Sequence, residues 1–200
     1  MLVTYIENQP PAELLKSLQD KSLVVYAGTL EHYQGIDIVI SAFPQVIQAI
    51  PHTHLLIVGG TKEQVDHYSS LADRYGIGLH CTFTGRVPQS LAQYYSNHAQ
   101  VQISSRVSGT NTPLKVYEQI ARGIPLVATD IYSHTQVLSE EVAFLVKPEA
   151  PSMAQGIIAA LAVDGDGQRR ATNAQQLYEQ RYSRQVYTRK MKQLLDYIAS

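Results

Sequence analysis

Ser104–Glu118, reading SSRVSGTNTPLKVYE, gathers residue types that could hold an anion beside a sugar. A strand ends there, a loop of small polar residues follows, and the pattern predicts a helix beginning near Thr112 or Pro113. The first turn of a helix leaves backbone N–H groups unpaired, and its dipole favours negative charge. Gly109, Thr110, Asn111 and Thr112 are small enough for a phosphate to approach. Lys115 brings a full positive charge to the end where the dipole would otherwise disfavour one. Glu118, about one turn further along, could take two hydroxyls of a ribose. Bare N–H groups, cation and carboxylate together fit a nucleoside diphosphate. The same spacing also fits an ordinary capped helix, with Thr110 or Thr112 as the cap and Lys115 and Glu118 in water.

The elements that must position this loop are legible around it. Short β-branched runs alternate with longer helical patterns, which predicts parallel strands joined by helices. The strands are expected at Leu23–Ala27, His54–Val58, Cys81–Thr84, Val101–Ser104, Pro125–Thr129 and Ala143–Val146. Ile36, Val39, Ile40, Phe43, Ile47 and Ile50 recur at helical spacing, with Pro44 expected to kink or restart that helix. Further helices are expected at Glu63–Tyr75, Gln89–Asn97, Pro113–Arg122, Pro151–Val163, Gln168–Arg181 and Tyr182–Ala199. The fold class is therefore α/β: a doubly wound, Rossmann-like parallel sheet of about six strands with a C-terminal helical tail. Residues 1–22, containing Gln9-Pro10-Pro11, read as a leading arm or short helix; 23–181 as the domain; 182–200 as its last helix. Ligands of such sheets bind beyond the carboxyl ends of the strands. That places Gly28–Gly35, Gly59–Thr61, Gly85–Pro88, Ser105–Lys115 and Asp130–His134 along one rim.

Composition narrows the function. The 200 residues are 44% hydrophobic, enough for one sizeable core. Sixteen Lys and Arg against seventeen Asp and Glu leave no global charge to attract nucleic acid, which is not expected as a partner. No apolar stretch approaches the ~20 residues of a membrane span, and no basic start followed by an apolar run reads as a signal peptide. Cys81 stands alone, reads as a small buried hydrophobe and fits a reducing compartment. His52 and His54 flank a strand without a helical H-E-x-x-H, so no metal site is expected. The P-loop spacing, the dinucleotide fingerprint and G-x-S-x-G are all absent.

From Val24 onward the chain resembles the C-terminal, donor-binding domain of retaining glycosyltransferases of family 4, one half of a GT-B fold. The resemblance is carried by VVYAGTLEHYQGIDIVISAF, HLLIVGG, CTFTGRVPQSLAQYYSNHAQVQISS, PLKVYEQIARGIPLVATD and EVAFLVKPEAPSMAQGI, in family order. It implies transfer of a sugar, of hexosyltransferase type, from a UDP- or GDP-linked donor to an acceptor hydroxyl, with retention and no obligatory metal or cofactor. It implies that Glu118 is the second glutamate of the E-x7-E motif and binds the donor ribose. Leu114 and Lys115 match positions whose N–H groups hold the distal phosphate, and Gly28 the first-loop glycine. Arg86 and Val87 fall where the family holds the base. Thr29, Gly59, Arg106, Thr110, Asn111 and Thr112 complete the expected donor-binding set.

Three positions depart from the pattern. Thr110 stands where the first glutamate contacts the transferred sugar, so no catalytic residue is assigned in this chain. Thr29 stands where an Arg commonly follows the first-loop glycine, and Gln34 where a Lys precedes Gly35. Both first-loop cations for the diphosphate are missing, and Lys115 and Arg106 in the facing loop are the available substitutes. The family also needs an N-terminal, acceptor-binding domain of similar size, which the residues before Val24 are too few to form. The isolated chain is therefore expected to bind donor weakly and to turn nothing over. The alternative reading is a non-catalytic nucleotide- or partner-binding domain that kept the half-fold and lost those cations.

Residues 169–200 carry Arg169, Arg170, Arg181, Arg184, Arg189, Lys190 and Lys192 among Tyr178, Tyr182, Tyr187 and Tyr197. They read as two solvated helices with tyrosines packed on the sheet. The resemblance adds a docking surface for the N-terminal domain, and weak association with an anionic membrane surface is a third reading. The expected location is cytoplasmic, with the inner face of the membrane as the alternative within it.

Overall fold

The computed structural model describes residues 4–5 and 11–199; of the expected leading arm, residues 1–3 and 6–10 lie outside the described residues. The six expected strands form one parallel sheet: β2 (Ser22–Ala27), β3 (Thr53–Val58), β4 (Cys81–Phe83), β5 (Val101–Ser104), β6 (Leu126–Thr129) and β7 (Phe144–Val146). A two-residue strand that periodicity could not signal, β1 (Thr4–Tyr5), pairs with β4 at one edge. The order β1-β4-β3-β2-β5-β6-β7 reverses direction at β2, which lies between β3 and β5. That reversal is where an open doubly wound sheet has its crevice.

Helices cover both faces because alternate strand residues point to opposite sides. On one face Val24, Tyr26, Leu55 and Ile57 pack with Phe43, Val65, Met153 and Ile157. Those partners come from α2 (Ile36–Ala49), α3 (Lys62–Arg74) and α7 (Ala150–Leu161). On the other, Leu23, Val25, Leu56 and Val58 pack with Leu14, Leu18 and Tyr95. Leu14 and Tyr95 belong to α1 (Pro11–Ser17) and α4 (Gln89–Asn97). Beyond them, Leu126 and Ala128 meet α5 (Leu114–Ala121) and α8 (Asp166–Arg181) through Val116, Ile120 and Ala174. Each fully buried Ile, Leu or Phe contributes roughly 1.5–3 kcal/mol to holding these layers together. Cys81 and His54 are buried within the sheet, the imidazole Nε2 lying 2.9 Å from Thr82 Oγ1.

Several local expectations are corrected. α2 runs unbroken through Pro44, because Ile36, Val39, Ile40, Phe43 and Val46 bury both halves of the helix in one core. The lost N–H bond at Pro44 is outweighed by that packing. α3 begins one residue early, where Thr61 and Gln64 form a reciprocal capping box. Part of the rim expected as loop is a short helix, α6 (Tyr132–Thr135). In the tail, Arg169 and Arg170 are held in ion pairs with Asp166, Glu140 and Glu141. Tyr178 and Tyr182 pack against the core, but Tyr187 and Tyr197, on α9 (Arg184–Ala199), are exposed.

The strand-ending loops meet backbone to backbone. Gly59 has φ 117°, donates its N–H to Gly85 O at 2.9 Å, and leaves only 2.0 Å between the place of a Cβ and Gly28 O. No rotamer change relieves a clash with a carbonyl. Gly59→Ala is therefore expected to cost on the order of 2 kcal/mol or more, from positive φ and overpacking together. A denaturant midpoint unchanged from the parent would contradict this contact.

Candidate functional site

The crevice is built by the loops that follow β2, β3, β4 and β5. Gly28 and Thr29 follow β2; the Tyr26 hydroxyl beneath them donates to Thr29 O at 2.7 Å. A 3-10 turn, His32–Gln34, then leads to Gly35, whose φ of 66° starts α2 and whose missing Cβ leaves room for Ser105 O. The loop after β5 is stitched directly to this turn. Val107 N–H donates to Tyr33 O at 2.9 Å, and the Ser105 hydroxyl donates to Gln34 O at 2.6 Å.

α5 starts at Leu114, with Pro113 as its N-cap residue and no side-chain cap. The capped-helix alternative thus fails: neither Thr110 nor Thr112 caps it. The N–H groups of Leu114 and Lys115 have no partner among the described residues, as expected of an uncapped first turn. Lys115 is half-buried. Its ammonium stands over the Tyr26 ring, 4.3 Å from the centroid, and donates to Gln34 Oε1 at 3.3 Å. Burial first, and the Arg106 cation second, pull its pKa down to about 7.

Glu118 faces a hollow of about 170 Å3 lined in part by Gly28, Gln102, Lys115, Gln119 and Arg122. Arg122 holds it one turn along the helix, Nη2 to Oε2 at 3.4 Å. Arg122 is itself pinned, donating from Nε to Asn97 Oδ1 at 3.1 Å and from Nη1 to Gln102 Oε1 at 3.3 Å. A second hollow of about 290 Å3 is lined by Gly28, Thr29, Gly59, Arg86 and Val87 among others. The two share Gly28 and Ala92. Side by side they have the scale of a small-molecule site, roughly 300–1,000 Å3.

Seven of the twelve residues singled out in the sequence therefore surround one pair of hollows: Gly28, Thr29, Gly59, Arg86, Val87, Lys115 and Glu118. Arg106, Thr110, Asn111, Thr112 and Leu114 line neither, and stand on the loop beside them. Leu114 is 82% exposed. Thr110 O accepts from Gln136 Nε2 at 2.6 Å, and Asn111 O from Arg106 Nη1 at 3.2 Å. The sequence reading missed Tyr26 and Tyr33 beneath the cations, Gln102 and Asn97 behind Arg122, and His134. Of these links only Glu118–Arg122 was readable, from its i, i+4 spacing.

His134 is fully buried behind the loop. A carbonyl can only accept, so Nδ1 donates to Thr129 O at 2.8 Å and Nε2 accepts from the Ser104 hydroxyl at 2.9 Å. Thr129 Oγ1 in turn donates to Arg106 O. Burial is the main reason that the imidazole pKa falls to about 4, so it stays neutral.

The family model for glycosyl transferases group 1 matches residues 12–177. The chain belongs to that family. The phosphatidyl-myo-inositol mannosyltransferase of Mycobacterium tuberculosis is 28% identical over 152 residues, 73% of this chain and 39% of that protein. The chain thus spans about two fifths of such curated relatives. In fold, sucrose-phosphate synthase from Thermosynechococcus elongatus aligns with a TM-score of 0.79 at 24% identity, over 98% of this chain and 50% of the other. Anabaena HepE in complex with UDP aligns with a TM-score of 0.81 at 18% identity, over 95% and 54%. The sheet and its C-terminal helix are one half of a GT-B fold, and this group 1 glycosyltransferase domain is its donor-binding half. The adjoining hollows lie against its strand-end loops and the start of α5.

Proposed function

We propose that this domain holds the nucleoside diphosphate of a UDP- or GDP-linked sugar for transfer of a hexose, with retention, to an acceptor hydroxyl. The observation that carries the reading is the gathering of Glu118, Lys115 and the Gly28, Gly59 and Arg86–Val87 loops around two adjoining hollows, with the bare N–H groups at the start of α5 beside them. In this reading Glu118, aimed by Arg122, accepts from the ribose hydroxyls. The N–H groups of Leu114 and Lys115 take the distal phosphate, and the loop of Arg86 and Val87 holds the base. The dipole of α5 and the nearby cations stabilise the charge that grows on the diphosphate as it leaves. The bound HepE complex, which holds UDP, supports the donor class.

Acceptor binding and the remaining catalytic side chains are assigned to an N-terminal domain, with this domain inactive alone. α9 suits such a partner: Tyr187, Met191, Leu194, Leu195 and Ile198 are exposed beside Arg184, Arg189, Lys190 and Lys192. The mycobacterial relative's name refers to a phosphatidylinositol, which favours an acceptor at the inner, cytoplasmic face of a membrane. No helix among the described residues is long and apolar enough to cross one.

A second reading, a binding domain without catalysis, is favoured by the three altered positions. At the positions of the two missing cations, Gln34 Nε2 donates to Thr29 Oγ1 at 3.4 Å, and Thr110 offers no carboxylate. Transfer assays separate the readings. The 200 residues alone are expected to release no sugar from UDP- or GDP-linked donors, and addition of the parent's N-terminal domain to restore transfer. A parent with both domains that binds donor and transfers nothing would establish the second reading.

A further inference from the structure

Lys115 in the crevice and Arg106 on the loop beside it are two cations that feel each other electrostatically. Among the described residues no carboxylate forms an ion pair with Lys115 or with Arg106. The Arg106 guanidinium lies over the Tyr33 ring, 5.2 Å from its centroid, and its buried Nε has no hydrogen-bond partner. Gly109 lies against that guanidinium, and a Cβ there would stand 2.6 Å from Nη2. Lys115 Nζ is supported only by a ring face and a neutral amide oxygen. A cation partly withdrawn from water and left unpaired is unfavourable, and an anion arriving beside it recovers that loss.

The place of the charge matters as much as its presence. Gln34 occupies the position where the resembling family carries a lysine, and Lys115 Nζ reaches Gln34 Oε1 at 3.3 Å. The helix on one side of the crevice therefore brings its cation to the loop on the other side that lacks one. Thr29, the second altered position, is joined to the same Gln34 side chain. Arg106 flanks the same turn through Tyr33, and the backbone contacts of Ser105 and Val107 fix the spacing of the two loops.

We infer that Lys115 and Arg106, reaching in from the β5–α5 side, form a clamp for a diphosphate in place of the absent first-loop cations. This rests on the donor reading for the nucleoside but not for the diphosphate itself. When the ligand binds, Lys115 leaves the Gln34 amide oxygen for a phosphate oxygen, and Gln34 is freed to donate from its amide nitrogen.

The clamp has a pH signature. The titratable groups around Lys115 are Tyr26 from β2, Arg106 from the loop, His134 from α6, and Glu118 on its own helix. Tyr26 is held neutral by burial, and His134 is neutral above about pH 4. With the free lysine titrating near 7, the diphosphate binds with uptake of a proton in alkaline solution. Affinity then falls by up to about tenfold per pH unit above neutrality.

The experiment titrates the full 200-residue chain with inorganic pyrophosphate and with UDP and GDP between pH 7 and 9, for the parent, Lys115→Ala, Lys115→Arg, Arg106→Gln and Glu118→Ala. Circular dichroism melts establish that each variant folds. Expected are a loss of about ten- to hundredfold in affinity for pyrophosphate and nucleotide alike in Lys115→Ala, and a smaller loss in Arg106→Gln. Lys115→Arg is expected to keep binding and flatten the pH profile. If Lys115→Ala leaves both affinities unchanged while Glu118→Ala abolishes nucleotide binding, the clamp is wrong and the donor reading stands. If pyrophosphate needs Lys115 but neither nucleotide binds more tightly and Glu118→Ala changes nothing, the clamp stands and the nucleoside reading falls. Pyrophosphate that does not bind the folded parent overturns the clamp.

Discussion

Glu118→Ala is expected to weaken nucleoside diphosphate binding by about ten- to hundredfold while leaving pyrophosphate untouched. The magnitude follows from losing hydrogen bonds to a charged acceptor, each worth roughly 1.5–3 kcal/mol. The selectivity follows from position: Glu118 lies one turn beyond Lys115 on α5 and lines the same hollow. Its carboxylate is not free to wander, because Arg122 holds it and is itself anchored by Asn97 and Gln102. Arg122→Ala should therefore reproduce part of the loss although it is assigned no contact with ligand. Comparing the two variants by calorimetry separates contact from positioning. Equal nucleotide affinity in Glu118→Ala and the parent would remove the ribose from this hollow.

The second large effect concerns stability. His134→Ala removes the donor to Thr129 O and the acceptor of Ser104, both in a site with no exposed surface, and leaves a cavity behind. Cavity and unsatisfied polar groups together predict a cost of roughly 3 kcal/mol or more. The same residue makes the fold acid-sensitive. Its folded pKa is about 4 against an ordinary value of 6.5, so the folded chain binds fewer protons than the unfolded one between them. The neutral imidazole's contribution is complete above pH 6.5 and is lost as pH falls through 4. His54 is lowered to about the same value by burial and behaves alike. Lys115, lowered to about 7 by burial, already makes stability fall as pH drops from 8 to 7. The melting temperature is then expected to fall further between pH 6.5 and 4.5, ahead of the carboxylates. In His134→Ala that fall should shrink to the part due to His54. A parent profile flat across this window would show that neither imidazole is held neutral.

How much of this was legible in the sequence depended on the range of the interactions. Short β-branched runs, three of them closed by a glycine, marked all six longer strands to within a residue or two, because a strand covered on both faces must be apolar throughout. Gly123, with φ 67°, ends α5 where its place in the sequence said it should. Local rules misled at Pro44, where two buried halves of one helix outweigh a missing bond. They were silent on Thr4–Tyr5, whose pairing is decided by residues far along the chain.

The site divides in the same way. Lys115 and Glu118 could be read together from helical spacing, and the strand-end loops from the rule that such sheets bind at their carboxyl edge. The environment that sets the chemistry of Lys115 could not. Its Gln34 partner is 81 residues away in sequence, and the ring beneath it belongs to β2. The absence of a side-chain cap on α5 likewise emerged only in three dimensions. Thr110 and Thr112 are good capping types, yet the loop turns them away and leaves the first N–H groups of the helix bare.

Calorimetric titration of the folded 200-residue chain with UDP, GDP and ADP tests the central claim most directly. The account predicts one saturable site, with UDP or GDP bound more tightly than ADP and the binding lost in Glu118→Ala. No heat from any of the three at millimolar nucleotide, or equal binding of all three that survives Glu118→Ala, would contradict it.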